Sequence, residues 1–179
     1  MEELTIAVIV GSLRSGSVNR AIERAASSNA PDGMRLTLHP VANLPLYNGD
    51  VEERGIPEEV SALHDTVAAA DGLIFFTPEY NSSLPAVTKN VIDWLSRPPK
   101  LWEGTAVTAI AATPGGRAGA GVLGHFVDIM TYLPIRLFDE THGIGSYPDK
   151  LDASGELADP EAISELTAFL QRFGDFARG

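Results

Sequence analysis

The residues best suited to chemistry follow directly on an apolar run: Leu4-Thr5-Ile6-Ala7-Val8-Ile9-Val10 leads into Gly11-Ser12-Leu13-Arg14-Ser15-Gly16-Ser17-Val18-Asn19. Gly11 and Gly16 tolerate positive φ, Ser12, Ser15 and Ser17 bring hydroxyls, Arg14 brings a cation, and a helix starting near Ser17 presents unpaired N–H groups. Everything this loop offers is a donor, so it suits an anion. The spacing of Gly11 and Gly16 matches the opening of a triphosphate-binding loop, but Ser17 stands where that loop requires lysine. A kinase or ATPase is therefore disfavoured. The plainer alternative is that the glycines merely turn strand into helix and Arg14 is a solvated surface cation.

Two further segments bear on that choice. Thr77-Pro78-Glu79-Tyr80-Asn81-Ser82-Ser83 closes another apolar run and sets a rigid proline and a large aromatic where a flat ligand could lie. Tyr80 would serve equally well as an interface or core aromatic. Thr113-Pro114-Gly115-Gly116-Arg117 carries consecutive N–H groups able to converge on one acceptor. Gly119-Ala120-Gly121-Val122-Leu123-Gly124 spells the dinucleotide fingerprint, with Asp139 about 20 residues beyond its first glycine. That fingerprint starts where a strand ends, whereas here Pro114 to Ala118 intervene, so these glycines read as points of close helix–sheet packing. His39, His64, His125 and His142 lack metal-ligand spacing, no G-x-S-x-G elbow is present, and Trp94 and Trp102 read as packing residues.

The elements that must position these loops alternate regularly. A strand over residues 4–10 precedes a helix with Val18, Ile22, Ala25 and Ala26 at helical spacing, then a strand over 35–38. Residues 41–56 are polar and punctuated by Gly and Pro. Pro57 opens a helix carrying Val60, Leu63, Val67 and Ala70, and a strand over 73–76 follows, buried on both faces. Leu84, Val87, Val91 and Leu95 stripe the next helix; a strand over 105–112, a helix from Val122 to Leu133 stopped by Pro134, and a short strand over 135–138 complete the series. Asp159-Pro160-Glu161 caps a last helix with Ile163, Leu166, Phe169, Leu170 and Phe173 on its core face, while residues 139–159 are expected to be irregular and partly mobile. Five strands alternating with helices predict a three-layer α/β sandwich, a parallel sheet of flavodoxin-like order 2-1-3-4-5 with helices on both faces. All three loops then leave the carboxyl ends of strands one, three and four, where such sheets bind ligands.

The bulk properties narrow the partners. The 179 residues are expected to form a single domain, burying about 70% of the unfolded surface. The net charge of −11 disfavours nucleic acid and anionic membrane. It leaves room for a small phosphorylated ligand, because screening limits long-range repulsion to about 8 Å while a local Arg–phosphate contact contributes roughly 1.5–3 kcal/mol. With no cysteine, disulfide, thiolate-metal and dithiol chemistry are unavailable, so redox work would need a bound cofactor. The opening Met1-Glu2-Glu3 and the short apolar run after it fit neither a signal peptide nor a membrane span, and the chain reads as cytoplasmic.

Taken together, the 11–19 loop, Pro78-Glu79-Tyr80-Asn81-Ser82-Ser83-Leu84-Pro85, the stretch Lys89-Asn90-Val91-Ile92-Asp93-Trp94-Leu95-Ser96-Arg97-Pro98, and Pro114-Gly115-Gly116 resemble the NAD(P)H-dependent FMN reductase family, over roughly residues 4–135. That family includes quinone, azo-dye and chromate reductases. The resemblance implies one FMN per subunit, NADPH or NADH as donor, and a homodimer or homotetramer. Carried over by motif, Ser12, Arg14, Ser17, Val18 and Asn19 would hold the FMN phosphate. Pro78, Glu79, Tyr80 and Asn81 would run along the isoalloxazine, with Ser82 and the segment Thr113, Pro114, Gly115, Gly116 and Arg117 near its edge. Ala86 departs from the family's usual glycine. The implied chemistry is ping-pong: hydride passes from nicotinamide to flavin N5, then to a quinone, azo compound, free flavin or similar small-molecule acceptor, with no side-chain acid or base and with the Gly115 and Gly116 N–H groups as stabilisers. Two other functions fit the same residues: a flavodoxin-like electron carrier that does not oxidise NAD(P)H directly, and a binding module that keeps the fold without flavin.

Overall fold

The computed structural model describes residues 3–98 and 100–179; Met1 and Glu2 of the opening read above, and Pro99, lie outside the described residues. The elements run β1 (Leu4–Val10), α1 (Val18–Ser28), β2 (Met34–His39), α2 (Gly49–Glu53), α3 (Glu58–Ala68), β3 (Gly72–Thr77), α4 (Ala86–Leu95), β4 (Ala106–Ala112), α5 (Ala120–Met130), β5 (Arg136–Leu137), β6 (His142–Ile144) and α6 (Pro160–Arg178). The strands form one parallel sheet of order β2-β1-β3-β4-β5, with β6 also paired to β4. This is the flavodoxin-like order the alternation predicts.

Side chains alternate across a strand, and that alternation divides the core into two layers. Leu4, Ile6, Val8 and Val10 of β1, with Ile74 and Phe76 of β3, pack under α1 and α6 against Ile22, Leu166, Phe169 and Phe173. Ala7 and Ile9 of β1, with Leu73 and Phe75 of β3, face the other way, toward Leu63 of α3, Val91 of α4 and Phe126 of α5. The α1–α6 and α3–α4–α5 layers therefore cover opposite faces, and the central strands are apolar on both sides, as a parallel sheet demands. Trp94 and Trp102 are fully buried packing residues, the Trp94 indole N–H donating to the Pro45 carbonyl at 2.8 Å.

The structure departs from the sequence reading at three places. The fifth position of the sheet is filled by two short strands rather than one: β5 pairs with Ala106 and Val107, β6 with Ile110 to Ala112. Between them the Thr108 hydroxyl donates to the Glu140 carbonyl at 2.8 Å, so a side chain substitutes where the ladder is interrupted. Residues 139–159, expected to be irregular, thus contain β6 and a 3₁₀ turn at Tyr147–Asp149. The polar stretch 41–56 contains α2, whose Asn48 side chain accepts from the Asp50 N–H at 2.9 Å.

His142 of β6 stacks on Phe169 with ring centroids 5.2 Å apart, and its buried Nε2 has no hydrogen-bond partner among the described residues. Burial pushes the His142 imidazole below its usual range; Glu165 and Glu140 oppose that shift and Arg172 adds to it. Burial lowers His39 likewise. Since the unfolded chain then binds protons more readily than the folded one, the stabilisation is complete above about pH 6.5 and is lost as pH falls through that value toward the depressed folded one. Urea midpoints are expected to decline as pH drops below about 6.5, with a shallower decline in His142→Phe; a midpoint independent of pH across that window would contradict this account.

Candidate functional site

The carboxyl ends of β1, β3 and β4 open into one cleft of about 230 Å³, whose walls include Ser12, Arg14, Ser17, Val18, Asn19, Pro78, Glu79, Tyr80, Thr113 and Pro114. Ten of the residues singled out from the sequence are therefore brought together. Asn81, Ser82, Gly115, Gly116 and Arg117 are not on its walls. Asn81 and Ser82 form the turn beyond Tyr80, Gly115 and Gly116 are exposed just past Pro114, and Arg117 faces a separate groove with Leu123 and Val127.

On the first loop, Ser17 caps α1, its Oγ accepting from the Arg20 N–H at 3.3 Å, so the hydroxyl proton remains free to donate. Among the described residues the N–H groups of Ser12 to Gly16, and of Val18 and Asn19, find no protein acceptor, and Arg14 enters no ion pair. Residues 13–16 are exposed, so hydration keeps their free N–H groups inexpensive. Neither glycine of this loop uses the positive φ that its residue type tolerates. Gly11 is required for a different reason: its N–H donates to Phe76 O at 2.8 Å, and a Cβ there would collide with the Thr88 hydroxyl and lie 3.4 Å from that of Thr77.

The loops are fastened to one another by side chains that reach across the sheet. The Asn19 carboxamide, 3% exposed, accepts from the Ala112 N–H at 3.0 Å and donates to the Ala112 carbonyl at 3.3 Å. It joins the loop after β1 to the end of β4, a positioning task that sequence reasoning did not assign to it. Glu79 accepts at 2.9 Å from the N–H of Val122 in the first turn of α5, the end of a helix that attracts a carboxylate. Gly121 permits this approach, because a Cβ there would sit 2.9 Å from Glu79 Oε2. Gly119, at φ +75°, lies against Ala111, where a Cβ would come within 2.6 Å of the Ala111 Cβ. Gly119 thus serves the helix–sheet packing expected of it, whereas Gly121 packs α5 against the second loop rather than the sheet, and Gly124 faces open space.

On the third loop the Gly115 carbonyl turns inward, accepting from the Ala118 and Ser146 N–H groups, both at 3.3 Å. The Gly115 and Gly116 N–H groups are left without a protein acceptor among the described residues. Tyr147 also lines the cleft, with its N–H 3.4 Å from the Thr113 carbonyl. The sequence reading missed it because β6 was not recognised, although an aromatic beside Pro148 just beyond a strand carries the same signature as Tyr80 beside Pro78. No cluster of three His, Asp or Glu suited to a metal is found among the described residues, and no described helix is long and apolar enough to cross a membrane.

Free donors at the start of α1, one unpaired cation and a half-exposed tyrosine in the same cleft are what an anionic ligand with a flat body requires. Fold and cleft together define a flavodoxin-like α/β protein with a cleft at its strand ends. The sequence profile of the NADPH-dependent FMN reductase family matches residues 4–147. The chain is 36% identical to a quinone reductase of Escherichia coli K12 over 180 residues, covering 98% of this chain and 96% of that one. It is 37% identical to an NAD(P)H-dependent FMN reductase of Pseudomonas aeruginosa over 172 residues, covering 95% and 93%. Among solved structures, the flavoenzyme NAD(P)H:acceptor oxidoreductase FerB of Paracoccus denitrificans superposes with a TM-score of 0.88 at 28% identity, covering 98% of this chain and 97% of that one. The chain belongs to the NADPH-dependent FMN reductase family, and so to the FMN-using, NAD(P)H-dependent oxidoreductases.

Asn19→Ala would strand the buried N–H of Ala112, at a cost of about 1–3 kcal/mol. Urea denaturation is expected to show that loss; a variant as stable as the parent would mean the tether contributes nothing.

Proposed function

We propose that the cleft binds FMN and that the protein uses it to reduce quinones with NADPH or NADH. One observation carries this reading: the free donors of the 11–19 loop and the Tyr80 wall open into the same cleft. Ser12, Arg14 and Ser17, with the Val18 and Asn19 amides, hold the phosphate. Pro78, Glu79 and Tyr80 flank the ring system, with the Asn81-Ser82 turn, Thr113 and Pro114 bordering it and Arg117 outside. The chemistry FMN supplies when bound is hydride acceptance and delivery; the protein binds and orients it. The exposed Gly115 and Gly116 N–H groups supply fixed dipoles where negative charge develops, a preorganised stabilisation that calls for no acid or base side chain.

Ligand cavities commonly measure roughly 300–1,000 Å³, and this cleft, at about 230 Å³, is smaller and open to solvent. A ligand seated in it keeps one accessible side, which donor and acceptor use in turn, the ping-pong order. Quinone as the acceptor class is supported by the name of the Escherichia coli relative. Tyr132, 90% exposed beside Ile129 and Leu133, supports assembly as a homodimer or homotetramer.

In anaerobic stopped flow, FMN-loaded protein is expected to lose its flavin absorbance on mixing with NADPH or NADH and regain it on adding a benzoquinone. Protein that stays oxidised would contradict the reading and leave the electron carrier in its place. Arg14→Ala should weaken FMN binding by about 1.5–3 kcal/mol, the range for a charged hydrogen bond; unchanged affinity would return Arg14 to the role of a surface cation.

A further inference from the structure

The hairpin that carries Tyr80 is held from outside the cleft, and we propose that His125 is a positioning residue for Tyr80, acting through Ser83. Tyr80 and Ser83 exchange backbone hydrogen bonds, Tyr80 N–H to Ser83 O at 3.1 Å and Ser83 N–H to Tyr80 O at 3.0 Å. Between them Asn81 and Ser82 both adopt positive φ, 51° and 57°. A two-residue turn of this kind favours Asn followed by Gly; Asn81 fits, but Ser82 stands where glycine is preferred, so the turn is strained at Ser82 and depends on its surroundings.

Those surroundings are the first two turns of α5. The Ser83 hydroxyl lies 2.7 Å from His125 Nδ1, and on the opposite arm Glu79 accepts from the Val122 N–H at 2.9 Å. Gly121 brings helix and turn together, since a Cβ there would stand 3.1 Å from the Ser82 carbonyl oxygen. Gly121 and His125 are four residues apart and Val122 and His125 three, so all three share one helix face. A serine hydroxyl both donates and accepts, so the Ser83–His125 bond forms with either imidazole tautomer.

Tyr80, 48% exposed, lines both the cleft and an adjoining apolar lobe of about 410 Å³ built with Leu13, Pro85 and Val87. Any displacement of the hairpin changes the width of both. His125 lines neither, and faces the α4–α5 groove beside Lys89 and Asp128. Its effect on the cleft is therefore exerted through Ser83 and the hairpin.

The functional half of this proposal rests on reading the cleft as the flavin site, whereas the clamp can be examined in FMN-free protein. There, His125→Leu and Ser83→Ala are each expected to raise amide hydrogen exchange at Tyr80 and Ser83 by about two- to tenfold, the effect of losing one hydrogen bond. The double variant should exceed neither single one, and His125→Asn, which places an amide near the position of Nδ1, should restore protection. In FMN-loaded protein the same two single variants should raise KM for a benzoquinone and retain kcat. Unchanged exchange in both single variants, or effects that add in the double variant, would overturn the clamp. Faster exchange with an unaltered KM would overturn the positioning role. Should the parent protein fail to load FMN or oxidise NADPH, the flavin reading fails by itself, and the exchange rates still decide whether His125 holds the hairpin.

Discussion

A site built from backbone donors has to keep them fixed without using them up, and here that condition is met by the two-way hydrogen bond between the Asn19 side chain and the backbone of Ala112. Parallel strands deliver their loops to one edge of the sheet, but nothing in strand pairing fixes how the loops sit relative to one another. A carboxamide that accepts from an N–H and donates to the carbonyl of the same residue holds the start of α1 at a set distance from the end of β4. The bond is buried, so water does not compete for it and its loss would strand a polar group. The other fastenings extend the same logic. Gly11 lets the first loop pass against Thr88 of α4, and Glu79 ties the second loop to the first turn of α5.

This division of labour separates residues that hold from residues that offer. Asn19 and Glu79 carry the most polar side chains on the cleft walls apart from Arg14, and both are bonded to backbone across the sheet. The groups left free include backbone N–H donors, serine hydroxyls and one guanidinium, all of which favour an anion. A site of that composition binds and orients. It is matched to a reaction whose bond-making is supplied by a bound cofactor, as membership of an FMN reductase family implies. The acidic character of the chain as a whole does not conflict with this, because the donors act at contact distance, within the screening length.

Much of the fold was legible because its causes are local. Alternating apolar runs, prolines at helix starts and the Asp159 cap all act within a few residues, and the sheet order follows from the alternation of strand and helix. The loops of the cleft were legible for the same reason, since their donors are adjacent in the chain. What escaped was long-range. Asn19 meets Ala112 across 93 positions and Glu79 meets Val122 across 43, so local composition does not distinguish a tether from a ligand contact. Gly11 was assigned the wrong physical reason, because a steric clash with Thr88 cannot be read from the loop itself. Tyr147 was passed over because β6 is only three residues long and leans on a threonine hydroxyl where its ladder is interrupted.

The central claim is that the ends of β1, β3 and β4 form one preorganised flavin cleft. Its most direct test is to titrate isotope-labelled, FMN-free protein with FMN and follow the backbone amide resonances. Shifts are expected to concentrate at residues 12–19, at Glu79 and Tyr80, at Thr113, Gly115 and Gly116, and at Tyr147, with little change in the groove between α4 and α5. Shifts gathered elsewhere, or none at all, would contradict it.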